Sequence, residues 1–315
     1  MNSAICTLFE GHYHHGVAAL VNSVYKNGYR GSVFAGYKGS LPKWASSAKK
    51  NCELSWEGAV TLAVSEDLEV HFIRIDSELH LTNYKPFFLL DIFKRLGKAV
   101  EAIFYFDPDI VIKCHWKFFE NWLSHGVALV EDINHNMSPT HPLRMEWLKV
   151  ILTSNKKVTR NLHSYFNGGF CGLSRQNIEF LQVWVDIIST SVQHFNFTPD
   201  KWVNNSDRSN LFYKHDQDTL NIAVMCCISP ICEMGPEAMD FKHGGWTMSH
   251  AVGQNKPWNK NFLWSAIKGN PPSLADKAFW SHVSEPIAIR NIYQIQSKYI
   301  SILVASFMAR FYRKG

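Results

Sequence analysis

No stretch of the 315-residue chain reaches the roughly 18 consecutive apolar residues that a membrane-spanning helix needs, so an integral membrane protein is not expected. A basic-then-apolar leader is also missing: the chain opens Met-Asn-Ser and runs straight into an apolar stretch. The seven cysteines (Cys6, Cys52, Cys114, Cys171, Cys226, Cys227, Cys232) form no regular framework. An odd, irregular set points to free thiols in a reducing compartment, and the expected location is cytoplasmic. Cys226-Cys227 with Cys232 lacks the second Cys/His pair that a zinc knuckle requires. Charge of one sign is scarce: Lys+Arg 32 against Asp+Glu 27 gives +5, too small and scattered an excess to predict nucleic-acid binding. Internal repeats, low-complexity tracts and long linkers are absent.

What is present describes a globular protein. Hydrophobic residues make up 46% and charged residues 19%, enough apolar surface for a chain of this length to fold without staples. Aromatics reach 14% with 11 Trp; such side chains build cores and also line ligand grooves. Ala4–Phe9 is a short apolar run, followed by Val17, Leu20, Val21, Val24 and Tyr25 at helical spacing, with Asn27-Gly28 as the stop. Ser32–Ala35, Leu68–Ile75, Ala102–Phe106 and Val127–Val130 read as strands, and Lys85–Leu96 as a helix. Strands alternating with helices predict an α/β fold with a mostly parallel central sheet flanked by helices. In such sheets ligands sit beyond the carboxyl ends of the strands. Asn155–Arg160 and Thr198–Asn210 are loop-like, the second long enough for a flap. Residues 1–290 parse as one domain and 291–315 as a tail.

The sharpest local feature follows the strand at Ala102–Phe106: Asp107-Pro-Asp109. Two carboxylates leaving a buried strand cannot both face the core unpaired. A hard divalent cation such as Mg²⁺ or Mn²⁺ is one partner for them, and that cation would hold phosphate oxygens; a solvated strand-ending turn is the other reading. The string also fits the haloacid-dehalogenase pattern, with Asp107 as phosphoryl nucleophile. That template wants the motif on the first strand and a later acidic cluster, whereas Asp240 stands alone. Far downstream, His250-Ala-Val-Gly253-Gln-Asn-Lys256-Pro-Trp258 places an imidazole, a glycine and an ammonium at three-residue spacing. These can ligate a metal, admit backbone to a ligand and neutralise phosphate. With the acidic pair they describe a metal–diphosphate site.

In these motifs the chain resembles the retaining glycosyltransferases of family 8, which include glycogenin and bacterial lipopolysaccharide galactosyltransferases. Four motifs match in order over roughly residues 3–260: Asp107–Asp109, Asn167-Gly-Gly169 before an apolar strand, Asp216-Gln217-Asp218, and His250–Trp258. The resemblance implies a GT-A (Rossmann-like) fold, a UDP-linked sugar donor and Mn²⁺ or Mg²⁺. It assigns Asp107, Asp109 and His250 to the metal, and Lys256 with the Gly253 backbone to the diphosphate. Tyr13 and Thr7 fall near the base, and Lys85 beside donor phosphate and sugar. Asn167, Asp216 and Gln217 face the sugar, with Asp132 or its neighbour Glu131 at its hydroxyls. The chain departs from the family in Glu10-Gly-His after the first strand, where paired acidic residues are usual, and in Gly168 inside the Asn-x-Gly turn. His14 and His15 match nothing in the family and read as solvated.

The implied reaction moves a hexose to a saccharide or glycolipid acceptor in surface-glycan (lipopolysaccharide-type) synthesis, through a covalent intermediate or by same-face attack. Asp216 and Gln217 are the nearest nucleophile candidates, and same-face attack is the favoured route. Asp109→Asn is expected to remove donor hydrolysis with the unfolding midpoint nearly unchanged. A dehalogenase-type phosphatase and a non-catalytic nucleotide-sugar-binding module are the alternatives. The tail, apolar from Tyr299 and then basic and aromatic from Arg310, fits an interfacial helix on an anionic membrane or a last helix docked on the domain.

Overall fold

The computed structural model describes residues 1–133, 137–201 and 207–311. In chain order the regular elements begin with β1 (Ser3–Glu10), α1 (His14–Lys26), β2 (Gly31–Lys38), β3 (Lys49–Lys50), β4 (Val60–Ser65), β5 (Leu68–Arg74), α2 (Leu81–Leu96) and β6 (Ala102–Phe106). They continue with β7 (Ile110–Ile112), α3 (Trp116–Trp122), β8 (Val127–Val130), α4 (Pro142–Thr153), β9 (Phe170–Ser174), α5 (Glu179–His194) and α6 (Asp216–Cys226). The last are β10 (Ile231–Met234), β11 (Met248–His250), α7 (Phe262–Ile267), α8 (Leu274–Trp280) and α9 (Ile292–Met308). The chain is a mixed α/β protein with a large, mostly parallel sheet flanked by helices, as its alternating pattern predicts.

Contacts divide it into two compact units. The first comprises Met1–Leu8, Arg74–Phe106 and Lys117–Pro236; the second comprises Phe9–Ile73, Asp107–Trp116 and Glu237–Gly315. In the first unit the strands lie in the order β10-β8-β9-β6-β1. β1 pairs parallel with β6, and β8 with β10, while β9 runs antiparallel between β6 and β8. Four strands therefore share one direction and β9 alone reverses. β6 is buried throughout, which is why it reads as a continuous apolar run. Where β9 meets β6, Gly172 has no room for a side chain: a Cβ there would lie 2.8 Å from the Phe104 ring. Helices α2, α4, α5 and α6 pack against one another in this unit.

In the second unit the strands run β2-β5-β4-β3, with β4 antiparallel to both β5 and β3, and β7 with β11 forms a separate two-stranded pair. α1 packs on β7, and α8 on both β7 and β11. α1 ends at Lys26 because Gly28 takes a left-handed φ of 87°. α9 starts at an Asn291–Gln294 capping box and buries Ile295, Ile302 and Ala305 in a cluster with Trp258, Phe262, Phe279 and Trp280. The last helix is thus docked; its opposite side exposes Ile300, Leu303, Val304 and Phe307.

The strands expected at Ala102–Phe106 and Val127–Val130 are reproduced, and the helix expected from Lys85 starts four residues earlier, where the His80 side chain caps it. Residues 202–206 of the expected flap and the basic end of the tail, 312–315, lie outside the described residues. None of the seven cysteines forms a disulfide. Among the described residues no helix is long and apolar enough to cross a membrane.

Candidate functional site

The chemistry-bearing residues fall into two groups, one in each unit. In the second unit Asp107 follows β6 in sequence, Pro108 turns the chain, and Asp109 enters β7. The antiparallel register sets His250 of β11 opposite Ile110, and the Ala251 N–H donates to the Asp109 carbonyl at 3.0 Å. This backbone pairing brings a residue from near position 250 beside one from near 110. The His250 Nε2 atom lies 3.3 Å from Asp109 Oδ1 and 3.9 Å from Asp107 Oδ2. One ligand atom from each of the three side chains falls within 4.8 Å of the other two. Asp109 and His250 are buried and Asp107 is half-buried. His250 Nδ1 is buried without a hydrogen-bond partner.

Lys256 closes this cluster. Its Nζ donates to Asp109 Oδ2 at 2.5 Å and to the Ala251 carbonyl at 2.8 Å. Burial pushes the Asp109 carboxyl up, but His250 and then Lys256 outweigh it and hold the group well below the usual carboxylate range. Burial works against the Lys256 ammonium, and Asp109 overrides it and raises its pKa, so this lysine stays charged. The Tyr13 ring stands 5.5 Å from Lys256 Nζ. Gly253 has φ 92° with open space at its missing Cβ, so the exposed turn before Lys256 favours glycine for conformation, not for room. Two carboxylates and an imidazole form an oxygen-rich set with one nitrogen, a fit for Mn²⁺ or Mg²⁺.

Burial of Asp109 corrects one expectation. Asp109→Asn would break the buried Asp109–Lys256 pair, a change that costs about 3–5 kcal/mol, so the unfolding midpoint would fall along with activity. A second correction concerns His14 and His15, which are half-buried and not solvated. Trp44 Nε1 donates to His14 Nδ1 at 3.2 Å, and burial first, then His14, pushes the His15 pKa down to about 4.

Two features near this cluster carry no strong sequence signal. Gly16 in α1 would place a Cβ 2.0 Å from the Pro108 carbonyl oxygen, so only glycine lets the helix approach the turn between the two aspartates. A glycine directly before the helical spacing that starts at Val17 is the sole hint. Trp258 donates from Nε1 to His12 Nδ1 at 2.8 Å and meets Tyr13 edge-on at 5.7 Å, which ties His12 and Tyr13 to the His250–Trp258 motif. Asp240, the later acid that the phosphatase template would use, is tied to Lys113 at 2.6 Å and accepts from the Ser249 hydroxyl.

The first unit holds the other group. Lys85 of α2 donates from Nζ to the Gly168 carbonyl and to Asp216 Oδ2, both at 2.8 Å, and is only 2% exposed. Asp216 opens α6, where a helix N-terminus favours a carboxylate. The Gly168 N–H donates to Gln217 Oε1 at 3.0 Å, and Gln217 Nε2 donates to Asp132 Oδ2 at 3.2 Å. Asn167 Nδ2 donates to that same oxygen at 2.6 Å and its Oδ1 accepts from the Gly169 N–H at 2.8 Å. A Cβ at Gly168 would meet Asp216 Oδ2 at 2.9 Å, so the middle of the Asn-Gly-Gly turn contributes backbone groups only. Asp132 joins this network, whereas Glu131 lies at a backbone bridge to Phe166. Thr7, in β1, is fully buried with its hydroxyl unpartnered. Asp218 and Tyr165, two supports that the motif reading left unassigned, share a hydrogen bond of 2.7 Å from the tyrosine hydroxyl.

No protein-family model matches the chain, and no curated protein matches it by sequence. Among solved structures, the bifunctional glycosyltransferase WbbM aligns over 94% of this chain and 51% of its own at 15% identity, with a TM-score of 0.47. The glycosyltransferase GlyE of Streptococcus pneumoniae TIGR4 aligns over 96% of this chain and 64% of its own at 12% identity, with a TM-score of 0.52. The chain spans about half of the first and under two thirds of the second. At these identities the likeness is one of fold: the chain shares the fold of GlyE.

Proposed function

We propose that the chain is a divalent-metal-dependent retaining glycosyltransferase of the family 8 type. It moves a hexose from a UDP-linked donor to a saccharide or glycolipid acceptor in surface-glycan synthesis. The observation that carries this reading is the Asp107–Asp109–His250 cluster with Lys256 hydrogen-bonded to it, in a chain with the fold of a glycosyltransferase. Bound Mn²⁺ or Mg²⁺ would supply Lewis-acid stabilisation of the departing diphosphate. Lys256, held charged, adds a fixed positive centre for the same leaving group, and the exposed Gly253 turn offers backbone to it. The Tyr13 ring is the platform for the base, with Thr7 buried in the strand before it.

Asn167, Asp132, Asp216, Gln217 and Lys85 are assigned to the sugar. Same-face attack is supported by their bonding: the Asp216 carboxylate is neutralised by Lys85, and both ends of the Gln217 amide are already engaged. Neither is a strong nucleophile in that state. The α9 face bearing Ile300, Leu303, Val304 and Phe307, followed by Arg310 and a basic terminus, is assigned to an anionic membrane surface near a lipid-linked acceptor.

The test is a screen of sugar nucleotides for slow donor hydrolysis with and without Mn²⁺. One donor should break down in a metal-dependent way. Tight UDP binding with no breakdown of any donor would mark a non-catalytic module instead. Liposome co-sedimentation of the full chain, wild type against Leu303→Glu/Phe307→Glu, checks the membrane face; equal pelleting would dismiss it.

A further inference from the structure

A cavity of about 400 Å³ opens in the second unit beside α9, within the roughly 300–1,000 Å³ typical of small-ligand sites. Trp258 and Trp280, both almost fully buried, line it together with Arg290, Gln294, Ser297 and Lys298. Trp258 ends the His250–Trp258 motif, and the other lining residues lie outside the Asp107–Asp109–His250 cluster. Both indole N–H groups are spent inside the protein, Trp258 on His12 at 2.8 Å and Trp280 on the Pro257 carbonyl at 3.1 Å. The two indoles therefore offer ring carbon and no donor. The rest of the lining is cationic: among the described residues neither Arg290 nor Lys298 forms an ion pair with a carboxylate. Asp276 of α8, in the same unit, is buried and engaged by Lys260 at 2.7 Å. Arg290 and Lys298 line the same cavity, and partial burial, then Arg290, pushes the Lys298 pKa down.

We propose that this cavity binds a phosphorylated saccharide, its phosphate held by Arg290 and Lys298 and its ring packed on Trp258 and Trp280. A phosphate neutralises the two cations that line one cavity. The arginine fork matches two phosphate oxygens and the lysine adds a point charge. The apolar face of a sugar ring suits an indole surface that has no hydrogen bond left to give, and Gln294 and Ser297 in the same lining supply partners for ring hydroxyls. The site goes beyond the donor reading: it takes a second, charged sugar and needs no metal.

The experiment is calorimetric titration of the full chain in EDTA with a hexose 1-phosphate, against the neutral hexose and inorganic phosphate. The sugar phosphate should bind at least ~10-fold more tightly than either half alone, because both charge and ring contribute. Arg290→Ser/Lys298→Ser should weaken that binding at least ~10-fold, as should the milder Arg290→Gln to a smaller degree, with donor hydrolysis unchanged in both. Absence of binding, equal binding by inorganic phosphate, affinity unmoved by either variant, or displacement by UDP would each overturn the site. Sugar phosphate bound by a chain that hydrolyses no donor would sink only the transferase reading.

Discussion

The two polar clusters differ in what they leave unsatisfied. Around Asp109 two carboxylates face one lysine and one imidazole, and His250 Nδ1 has no partner. The ligating atoms of the three side chains converge there. Around Asp216 the carboxylate pairs with Lys85, Asp132 accepts from the Asn167 and Gln217 amides, and each of those amides is engaged at both its oxygen and its nitrogen. The first arrangement has capacity for a cation; the second spends its capacity on itself and fixes geometry. Buried polar networks of the second kind hold position only while every member is present. Chemistry by binding and chemistry by positioning therefore make different demands on the same residue types, and substitutions separate them.

The largest effect is expected where the closed network is opened. Lys85→Met leaves the Asp216 carboxylate buried and unpaired, which should lower unfolding free energy by about 3–5 kcal/mol in denaturant titration. A wild-type midpoint would show that Asp216 relaxes to solvent and that the network is not closed. The converse change is Asp107→Asn. Asp107 is the most exposed of the three candidate ligands, with 22% of its side chain accessible. Metal-dependent donor hydrolysis should drop on the order of 100-fold, or about 2.7 kcal/mol, with the thermal midpoint almost unmoved. A large midpoint shift would make Asp107 a structural residue like Lys85 and erase the contrast.

Glycines sharpen the same comparison. At Gly16 an added Cβ meets the Pro108 carbonyl at 2.0 Å, and backbone cannot yield without moving both aspartates. Gly16→Ala should cost about 1–3 kcal/mol as overpacking and raise the Mn²⁺ concentration needed for half-maximal hydrolysis. At Gly168 the obstacle at 2.9 Å is the far end of the Asp216 side chain and not backbone. Gly168→Ala should therefore cost less than about 1 kcal/mol. Equal losses in the two variants, read by thermal unfolding, would mean that the turn between the aspartates is not held against α1.

Much of this was legible in residue order, because each strand that carries a motif is short, apolar and buried. β6 and β8 are continuous apolar runs bounded by polar residues, so their limits show directly. The same logic exposes Asp107 and Asp109, since carboxylates at the end of such a run demand a partner. Pairing of β7 with β11 was not legible: three residues each, Ile110–Ile112 and Met248–His250, give no period to read. Yet that register sets His250 beside Asp109. Nor was the burial of Asp109, Lys85 and Lys256, since a charged letter in a sequence reads as solvated until its counter-charge, more than 100 residues away, is located in space. The reversal of β9 escaped for a similar reason, because alternation predicts adjacency but not direction.

The two clusters should also respond oppositely to pH. Asp109 is held well below the ordinary carboxylate range, so its contribution is present above the unfolded pKa near ~3.9 and is lost as pH falls through the lower folded value. Asp218, beside the closed network, is the reverse case. Burial pushes its carboxyl up to about 7, against the opposing hydrogen bonds from the Tyr165 hydroxyl and the Lys214 N–H. Between about pH 4 and 7 the folded state then binds more protons at this site than the unfolded chain does. Stability from this group is present in full below about pH 4 and declines as pH rises, by up to about 1.4 kcal/mol per pH unit, levelling off above 7. Urea unfolding of wild type and Asp218→Asn across pH 4–8 isolates the effect, since the asparagine keeps an acceptor but does not titrate. The wild-type curve should fall more steeply over that window and run parallel to the variant above it. Parallel curves throughout would mean that Asp218 is already ionised at pH 4, and that the network beside it carries one more buried negative charge than the folded geometry is arranged to neutralise.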